Sequence, residues 1–471
     1  MTTETEPATS NPQKEVSPGL VLALCSGATF MAFLDLAVVN IAFPDLLADF
    51  PGTRTATLTW VVSGYAVTFA AFLTPAGRLA DTLGRRGVFV GSLVGFTLAS
   101  LVCGAAPGPE VLIAGRLAQG AFAAGMIPAA LALIISNIPF ERLIKSIGVW
   151  AAVGGFSSVV GPIVGGVLVD ASGWRSVFWI NGPIGLVLIL GSLAVLPAHR
   201  PPEGSRLPDL LGSLVLVTGI AAVVAGLTEG ERWGWGSVRT LALLGGGLLL
   251  GLVALLRSRG HRAPAIETAL WKSRRFAVTN LAALVFGTAM FAWLLTGPLL
   301  TTKVWQWSIM ESAGALTIGA VASMAASMAA GRVSDATRHR WVIALGALLF
   351  AACNAMMTSD LFGTEPRFWD AWVPASLLGG AGLGLGVTGL SAAAATALPP
   401  LRFAAGVGMN MTARQLGGAL GIAATAALMA SGGGAGTIGA YHDVYLACAA
   451  VAILSALVAV VLPDPSPPKE G

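Results

Sequence analysis

The stretch Gly77-Arg78-Leu79-Ala80-Asp81-Thr82-Leu83-Gly84-Arg85-Arg86 recurs, in degenerate form, as Gly331-Arg332-Val333-Ser334-Asp335-Ala336-Thr337-Arg338-His339-Arg340. Gly, Arg, Asp and the final Arg coincide at an offset of 254 residues. A fainter echo pairs Leu117-Ala118-Gln119-Gly120-Ala121 with Leu377-Leu378-Gly379-Gly380-Ala381 at an offset of 260. Each copy of the polar stretch follows one apolar run and precedes another, so the chain reads as two related halves. Paired repeats around a shared midplane site are a common build for proteins that move solutes across membranes.

Outward from these loops, apolar runs fall at 19–43, 57–77, 87–106, 110–135, 146–169, 176–196, 208–229, 238–257, 276–300, 309–330, 341–359, 371–396, 404–430 and 441–462. A run of about 20 residues spans a hydrocarbon core at 1.5 Å per residue. Only 11% of the 471 residues are charged, against roughly 25% in soluble domains, and the mean hydropathy is +0.79. The expectation is an all-α polytopic membrane protein of fourteen spans, multi-pass in a bacterial cell membrane, with both termini cytoplasmic. The repeat offset divides it into a tail (1–18), a six-helix bundle (19–200), two inserted central spans (201–262), a second six-helix bundle (263–462) and a short tail (463–471).

Basic residues test that topology independently, because Lys and Arg gather in cytoplasmic loops. With the N-terminus inside, 19 of the 27 Lys and Arg fall on the cytoplasmic side. Six fall outside (Arg54, Arg175, Arg232, Arg239, Lys303, Arg367), and Arg116 and Arg414 lie within apolar runs. The first 17 residues lack a basic n-region and a cleavage site, so span 1 is expected to act as an uncleaved signal.

Several function classes fall away. The pI near 9.1 reflects an excess of only +4, which gives no basis for nucleic acid binding. Cys25, Cys103, Cys353 and Cys448 lie in apolar runs without CxxC spacing, and His199, His261, His339 and His442 are scattered in polar loops, so neither metal nor disulfide is indicated. No HExxH, GxSxG or P-loop occurs. An enzyme, an ATP-driven pump and a receptor with a signalling domain are all disfavoured, which leaves ion gradients as the energy source and no bound cofactor.

Asp35 is the one carboxylate well inside a span, and burying it costs about 2.5–3.5 kcal/mol. It lies about 12 Å below the outer end of span 1, and Arg116 about 10 Å into span 4, so the two are nearly level. Desolvation and a nearby guanidinium act oppositely on a carboxylate, so a change in their separation would load and release a proton; a permanent ion pair is the other reading. Gly154, Ser158, Gly161 and Gly165 form one stripe of span 5 on which a helix can approach closely, and Pro162 adds a kink point. Span 13 carries Asn410, Thr412, Arg414 and Gln415, with Arg414 about 15 Å from the cytoplasmic end and expected to line a cavity. Phe286, Met290, Phe291 and Trp293 offer an apolar wall, or simply a helix face turned to lipid or core.

Five segments together resemble the major facilitator superfamily, and within it the fourteen-span drug:proton antiporters. They are Leu34-Asp35-Leu36-Ala37-Val38-Val39-Asn40-Ile41-Ala42-Phe43-Pro44 (with Ala37 where Thr is usual), Gly77 to Arg86, Arg116-Leu117-Ala118-Gln119-Gly120, Gly154 through Gly161-Pro162-Ile163-Val164-Gly165-Gly166, and Trp174-Arg175 with Phe178, Asn181 and Pro183. The resemblance covers nearly the whole chain. It implies a proton-coupled exporter of lipophilic or amphipathic drugs or antibiotics, with a single natural product or metabolite as the alternative cargo. Asp35 and Arg116 are then the coupling pair, and Gly77, Asp81, Arg85, Arg86 and Asp335 a conformational latch, the second copy weakened by Arg338 at the glycine position. Gly154, Gly161, Pro162, Gly165 and Gly166 become an antiporter stripe facing the other half. Asn40, Gln119, Phe286, Met290, Trp293, Asn410 and Arg414 become cavity residues. Protons, a small-molecule substrate and membrane lipids are the expected partners, around a functional monomer.

Overall fold

The computed structural model describes residues 17–197, 207–333, 335–397, 402–431 and 436–464. Lys14, His199, Arg200, Arg206, Ser334 and Lys469, most of both tails and the expected boundary at 200/201 lie outside the described residues, as do the side chains of Ser158 and Pro162. The described chain is helical, with no strand. Hydrocarbon supplies no water to backbone amides, so each apolar run closes its hydrogen bonds within itself.

Fourteen long helices occur among the described residues: α1 Pro18–Asp49, α2 Trp60–Leu83, α3 Arg85–Gly104, α4 Pro109–Asn137, α5 Phe140–Ser172, α6 Asn181–Val195 and α7 Leu210–Trp233, then α8 Val238–Gly260, α9 Arg274–Leu299, α10 Ile309–Ala330, α11 His339–Met356, α12 Val373–Thr396, α13 Phe403–Ser431 and α14 Ile438–Val460. Twelve stretches among the described residues are long and apolar enough to cross a membrane. They take in every long helix except α5 and α13, and α6 qualifies together with the turn Ser176–Trp179 before it.

Helix neighbours repeat along the chain. In the first six helices, α1 packs on α4, α5 and α6, and α4 on α2 and α3. In the last six, α9 packs on α12, α13 and α14, and α12 on α10 and α11. Between the two sets, α2 lies against α13 and α5 against α10, two contacts that exchange under the same pairing. The Gly120 and Gly380 of the faint echo do equivalent work. A Cβ on Gly120 would overlap the Tyr65 carbonyl of α2, and one on Gly380 would overlap the Gly319 carbonyl of α10. Small residues let helices approach where lipid offers no hydrophobic drive for association.

Helices α7 and α8 form a hairpin sealed by Gly219 and Gly247, each against the other's carbonyl. Its base is tied by Arg257 to Asp209, 2.5 Å from Nε and 3.0 Å from Nη2, which holds the Asp209 carboxyl below the usual carboxylate range. Helix α7 leans on α2 and α13.

Buried clusters are divided unevenly. At the end of the molecule that carries the Asp81 loop, the core of the first six helices also takes in Ala395, Ala404, Val407 and Met411 of α12 and α13. Toward the opposite end, the cluster around Leu34, Val38 and Phe178 contains only residues before 180, and the one around Trp305, Phe362 and Trp372 only residues after 275.

Gly380→Val is expected to destabilise the α10–α12 contact by about 3 kcal/mol and lower the melting temperature in detergent. Gly251→Val, with nothing within 4 Å of its Cβ position, should leave it unchanged; equal behaviour of the two would rule out close helix approach as the reason for Gly380.

Candidate functional site

Five helices converge on Asp35, which is 2% exposed, while Arg116 and Gln119 are fully buried. Arg116 Nη1 donates to Asp35 Oδ2 at 2.5 Å and to Gln119 Oε1 at 2.9 Å. Gln119 Nε2 and Asn181 Nδ2 donate to Asp35 Oδ1 at 3.2 and 2.8 Å. Arg116 Nε reaches the Val61 carbonyl at 2.8 Å, and its guanidinium sits 4.4 Å over the Tyr65 ring. Asn181 also donates to Ser100 Oγ, which donates to the Phe178 carbonyl, both at 2.9 Å.

The local sequence explains the convergence. Arg116 and Gln119 are one turn apart on α4 and so share a face, and Gly115 and Gly120 let α3 and α2 close on either side of them. Both carboxylate oxygens are engaged, and the cation is answered by charge, carbonyl and ring, with Arg116 Nη2 alone left without a hydrogen-bond partner. A buried pair is tolerated when most of its remaining donors and acceptors are satisfied. Gln119 thus belongs to this network rather than to an open cavity wall. The roles of Tyr65, Ser100 and the Asn181 amide had no signal in spacing alone, since they arrive from three other helices.

A second polar junction joins the two sets of helices. Asp81, at the end of α2, accepts from the backbone amides of Ala404 (3.3 Å) and Ala405 (2.8 Å) in the first turn of α13. A carboxylate there meets both the unpaired amides and the positive end of the helix dipole. Gly77 permits it, because a Cβ would overlap the Ala404 carbonyl. Arg85 Nη2 lies 3.4 Å from Asp81 and Nη1 3.4 Å from the Ala132 carbonyl, while Arg86 donates to the Leu193 carbonyl at 2.6 Å. Two turns further in, the Thr74 and Thr412 hydroxyls are hydrogen-bonded at 2.8 Å.

Sequence reasoning missed Glu267, from the connection between α8 and α9. It is 5% exposed, ion-pairs with Arg78 of the loop motif, and lies 3.3 Å from Arg402 before α13.

The second copy of the motif behaves differently. Asp335 is exposed and accepts from Thr337, at 2.9 Å from its amide and 2.7 Å from its hydroxyl, so it caps its own loop instead of a helix of the other set. Position matters here: Gly84 turns the chain at φ +99°, a conformation that glycine adopts without strain, whereas Arg338 at the equivalent place has φ −82°.

The α5 stripe faces α1, not the other set of helices. A Cβ on Gly161 would overlap Ala37, Gly165 lies against Val38, Gly154 lies 3.6 Å from Phe33, and Gly166 meets nothing within 4 Å. Periodicity identifies a face suited to close packing without naming its partner. The close contact with α10 is made instead by Gly148, where a Cβ would lie 2.6 Å from the Ser327 carbonyl. Asn40 is exposed and bonds its own helix at Leu36. Phe286 packs on Phe350 with centroids 5.6 Å apart, and Met290 and Trp293 join the same cluster. Asn410 and Arg414 are buried on α13, where a Cβ on Gly287 of α9 would overlap the Arg414 carbonyl.

The sequence profile of the Major Facilitator Superfamily matches residues 25–335 and 279–471. The chain belongs to the Major Facilitator Superfamily. This facilitator is 34% identical over 469 residues to the puromycin resistance protein pur8 of Streptomyces alboniger, covering 95% of this chain and 91% of that one. It is 34% identical to a probable actinorhodin transporter of Streptomyces coelicolor, where the match covers 78% of this chain and 64% of the relative. It is 31% identical to the multidrug resistance protein Stp of Mycobacterium tuberculosis, over 85% of this chain and 74% of that one. Its fold matches the human organic anion transporter MFSD10 with a TM-score of 0.71 at 14% identity, covering 96% of this chain and all of that one. The facilitator is therefore a multi-pass cell-membrane transporter and not an enzyme.

Arg116→Met alone strands the Asp35 carboxylate, and breaking a buried pair in this way costs about 3–5 kcal/mol. The melting temperature should fall by several degrees and recover most of the loss in the Asp35→Leu/Arg116→Met double variant. A double variant no more stable than the single one would show that charge pairing is not what stabilises this junction.

Proposed function

We propose that the protein is a proton-driven exporter of lipophilic or amphipathic antibiotics or drugs, working by alternating access between the bundles α1–α6 and α9–α14. The observation that carries this is the sealed Asp35–Arg116 network. It is one titratable carboxylate inside a membrane bundle, paired so that protonation and ion pairing exclude each other. The helices α5 and α13 complete fourteen crossings in this scheme, with both termini cytoplasmic. The asymmetry of Lys and Arg puts the Asp81 end in the cytoplasm. Closure between the bundles at that end supports an outward-facing arrangement.

In this scheme a proton arriving from outside neutralises Asp35 and frees Arg116. The bundles then rock, which requires Asp81 to leave the α13 N-terminus and Glu267 to release Arg78 or Arg402. Cargo binding from the cytoplasm restores the pair and expels the proton. The Gly148 contact closes with the Asp81 junction, while the α5 stripe holds α1 and α5 together as the bundle moves. The protein acts as a monomer among membrane lipids, with the proton gradient as its only energy source. A cargo range confined to one natural product is the second reading, favoured by relatives named for single antibiotics.

Puromycin uptake into inverted vesicles carrying an imposed pH gradient tests the scheme. Uptake is expected in the wild type, should collapse when nigericin dissipates the gradient, and should fall at least about tenfold in Asp35→Asn at equal expression. Uptake that survives gradient collapse, or a fully active Asp35→Asn, contradicts proton coupling. Releasing the cytoplasmic closure by Glu267→Gln should speed labelling of a cysteine placed in that interface; unchanged labelling would remove Glu267 from the closure.

A further inference from the structure

Arg414 is the one deep charge in the second bundle. It lies eleven residues from the start of α13, about 16 Å along the axis, and is 9% exposed. Its Nη1 has no hydrogen-bond partner. One turn below, Asn410 is 3% exposed and its Nδ2 likewise has none. Residues at i and i+4 share a helix face, so two buried donors stand side by side without an acceptor.

No carboxylate among the described residues is placed to answer them. The only acids in α9–α14 are Glu311 and Asp443, exposed near the starts of their helices. On the neighbouring helices, Asp35 is committed to Arg116, Gln119 and Asn181, Asp81 to the α13 amides and Arg85, and Glu229 of α7 to Arg232. The contrast with the first bundle is chemical. There a deep Arg has a carboxylate, a carbonyl and a side-chain amide to receive its protons; here a deep Arg has none of these among the described residues. Leaving a guanidinium unpaired in hydrocarbon costs several kcal/mol, a cost that an anion entering from outside would relieve.

We propose that Arg414 and Asn410 form a binding site for an anionic group, a carboxylate or phenolate, on the transported molecule. The guanidinium supplies the charge and a planar set of donors suited to a carboxylate, and the Asn410 amide adds a neutral donor beside it. This rests on the exporter reading above and adds the chemical class of cargo. It requires no acid in the second bundle, because the cargo itself neutralises the site during passage.

The test uses the full chain in phosphatidylcholine nanodiscs and two matched probes, anthraquinone-2-carboxylate and its neutral amide, anthraquinone-2-carboxamide. The wild type is expected to bind the carboxylate at least about tenfold more tightly, as a charge-assisted hydrogen bond implies. Arg414→Gln should abolish that preference and Arg414→Lys retain part of it, since lysine keeps the charge without the planar fork. Without ligand, Arg414→Gln should melt at the wild-type temperature or higher, because it removes an unanswered buried charge; a lower melting temperature, or failure to fold, would make Arg414 a structural residue and overturn the proposal. Equal affinity for the two probes, binding of neither, or a preference that survives Arg414→Gln would also overturn it. A site that responds only to replacement of phosphatidylcholine by phosphatidylglycerol belongs to lipid, not cargo. Gradient-driven uptake of puromycin without discrimination between the probes leaves the exporter reading standing and the anion site refuted. Arg414-dependent binding of the carboxylate with no gradient-driven uptake of any compound does the reverse.

Discussion

A charge placed in hydrocarbon must be answered by another charge or by a full set of hydrogen bonds, and the organisation of this transporter follows from how it meets that demand. In the first bundle the demand is met internally. Asp35 and Arg116 neutralise each other, and Gln119, Asn181 and the Val61 carbonyl take up the remaining valences except that of Arg116 Nη2. Five helices must hold their positions for those contacts to exist, so the pair fixes the bundle's interior. In the second bundle Arg414 has no such answer, which makes the two halves unlike in chemistry although their helices pack alike.

The same economy governs the junction between halves. The amides in the first turn of α13 lack partners within their own helix, and Asp81 supplies one from α2. Those amides and Arg85 offset part of its desolvation. Glu267 adds a carboxylate between two arginines, one on each side of the junction. Through it, the connection that follows the α7–α8 hairpin meets both halves, a structural connection for a hairpin whose sequence carries no motif of its own. These polar contacts stand beside close glycine contacts between the halves, at Gly77 against Ala404 and at Gly148 against Ser327.

Much of this was legible in the sequence. Apolar runs of membrane-spanning length gave the helices, and the offset between Asp81 and Asp335 pointed to related halves. The level placement of Asp35 and Arg116 followed from helix rise alone. What spacing could not convey was partnership. The Gly154, Gly161 and Gly165 stripe was visible as a face, but its neighbour is α1 rather than the other half. Phe286 read as a candidate wall residue and instead fills the core beside Phe350. Asn181, Tyr65 and Glu267 come from distant segments with no shared period, so only the folded chain brings them to their charges. Where the motif itself departed, at Arg338 for glycine, the sequence did foretell a difference, because a turn at positive φ disfavours any side chain.

The central claim is that the Asp35–Arg116 pair exchanges a proton against cargo. Its most direct measurement is proton release by purified protein in weakly buffered detergent solution as puromycin is added. The account predicts acidification that saturates with cargo and vanishes in Asp35→Asn. Saturable cargo binding without any release of protons, or undiminished release from Asp35→Asn, would contradict it.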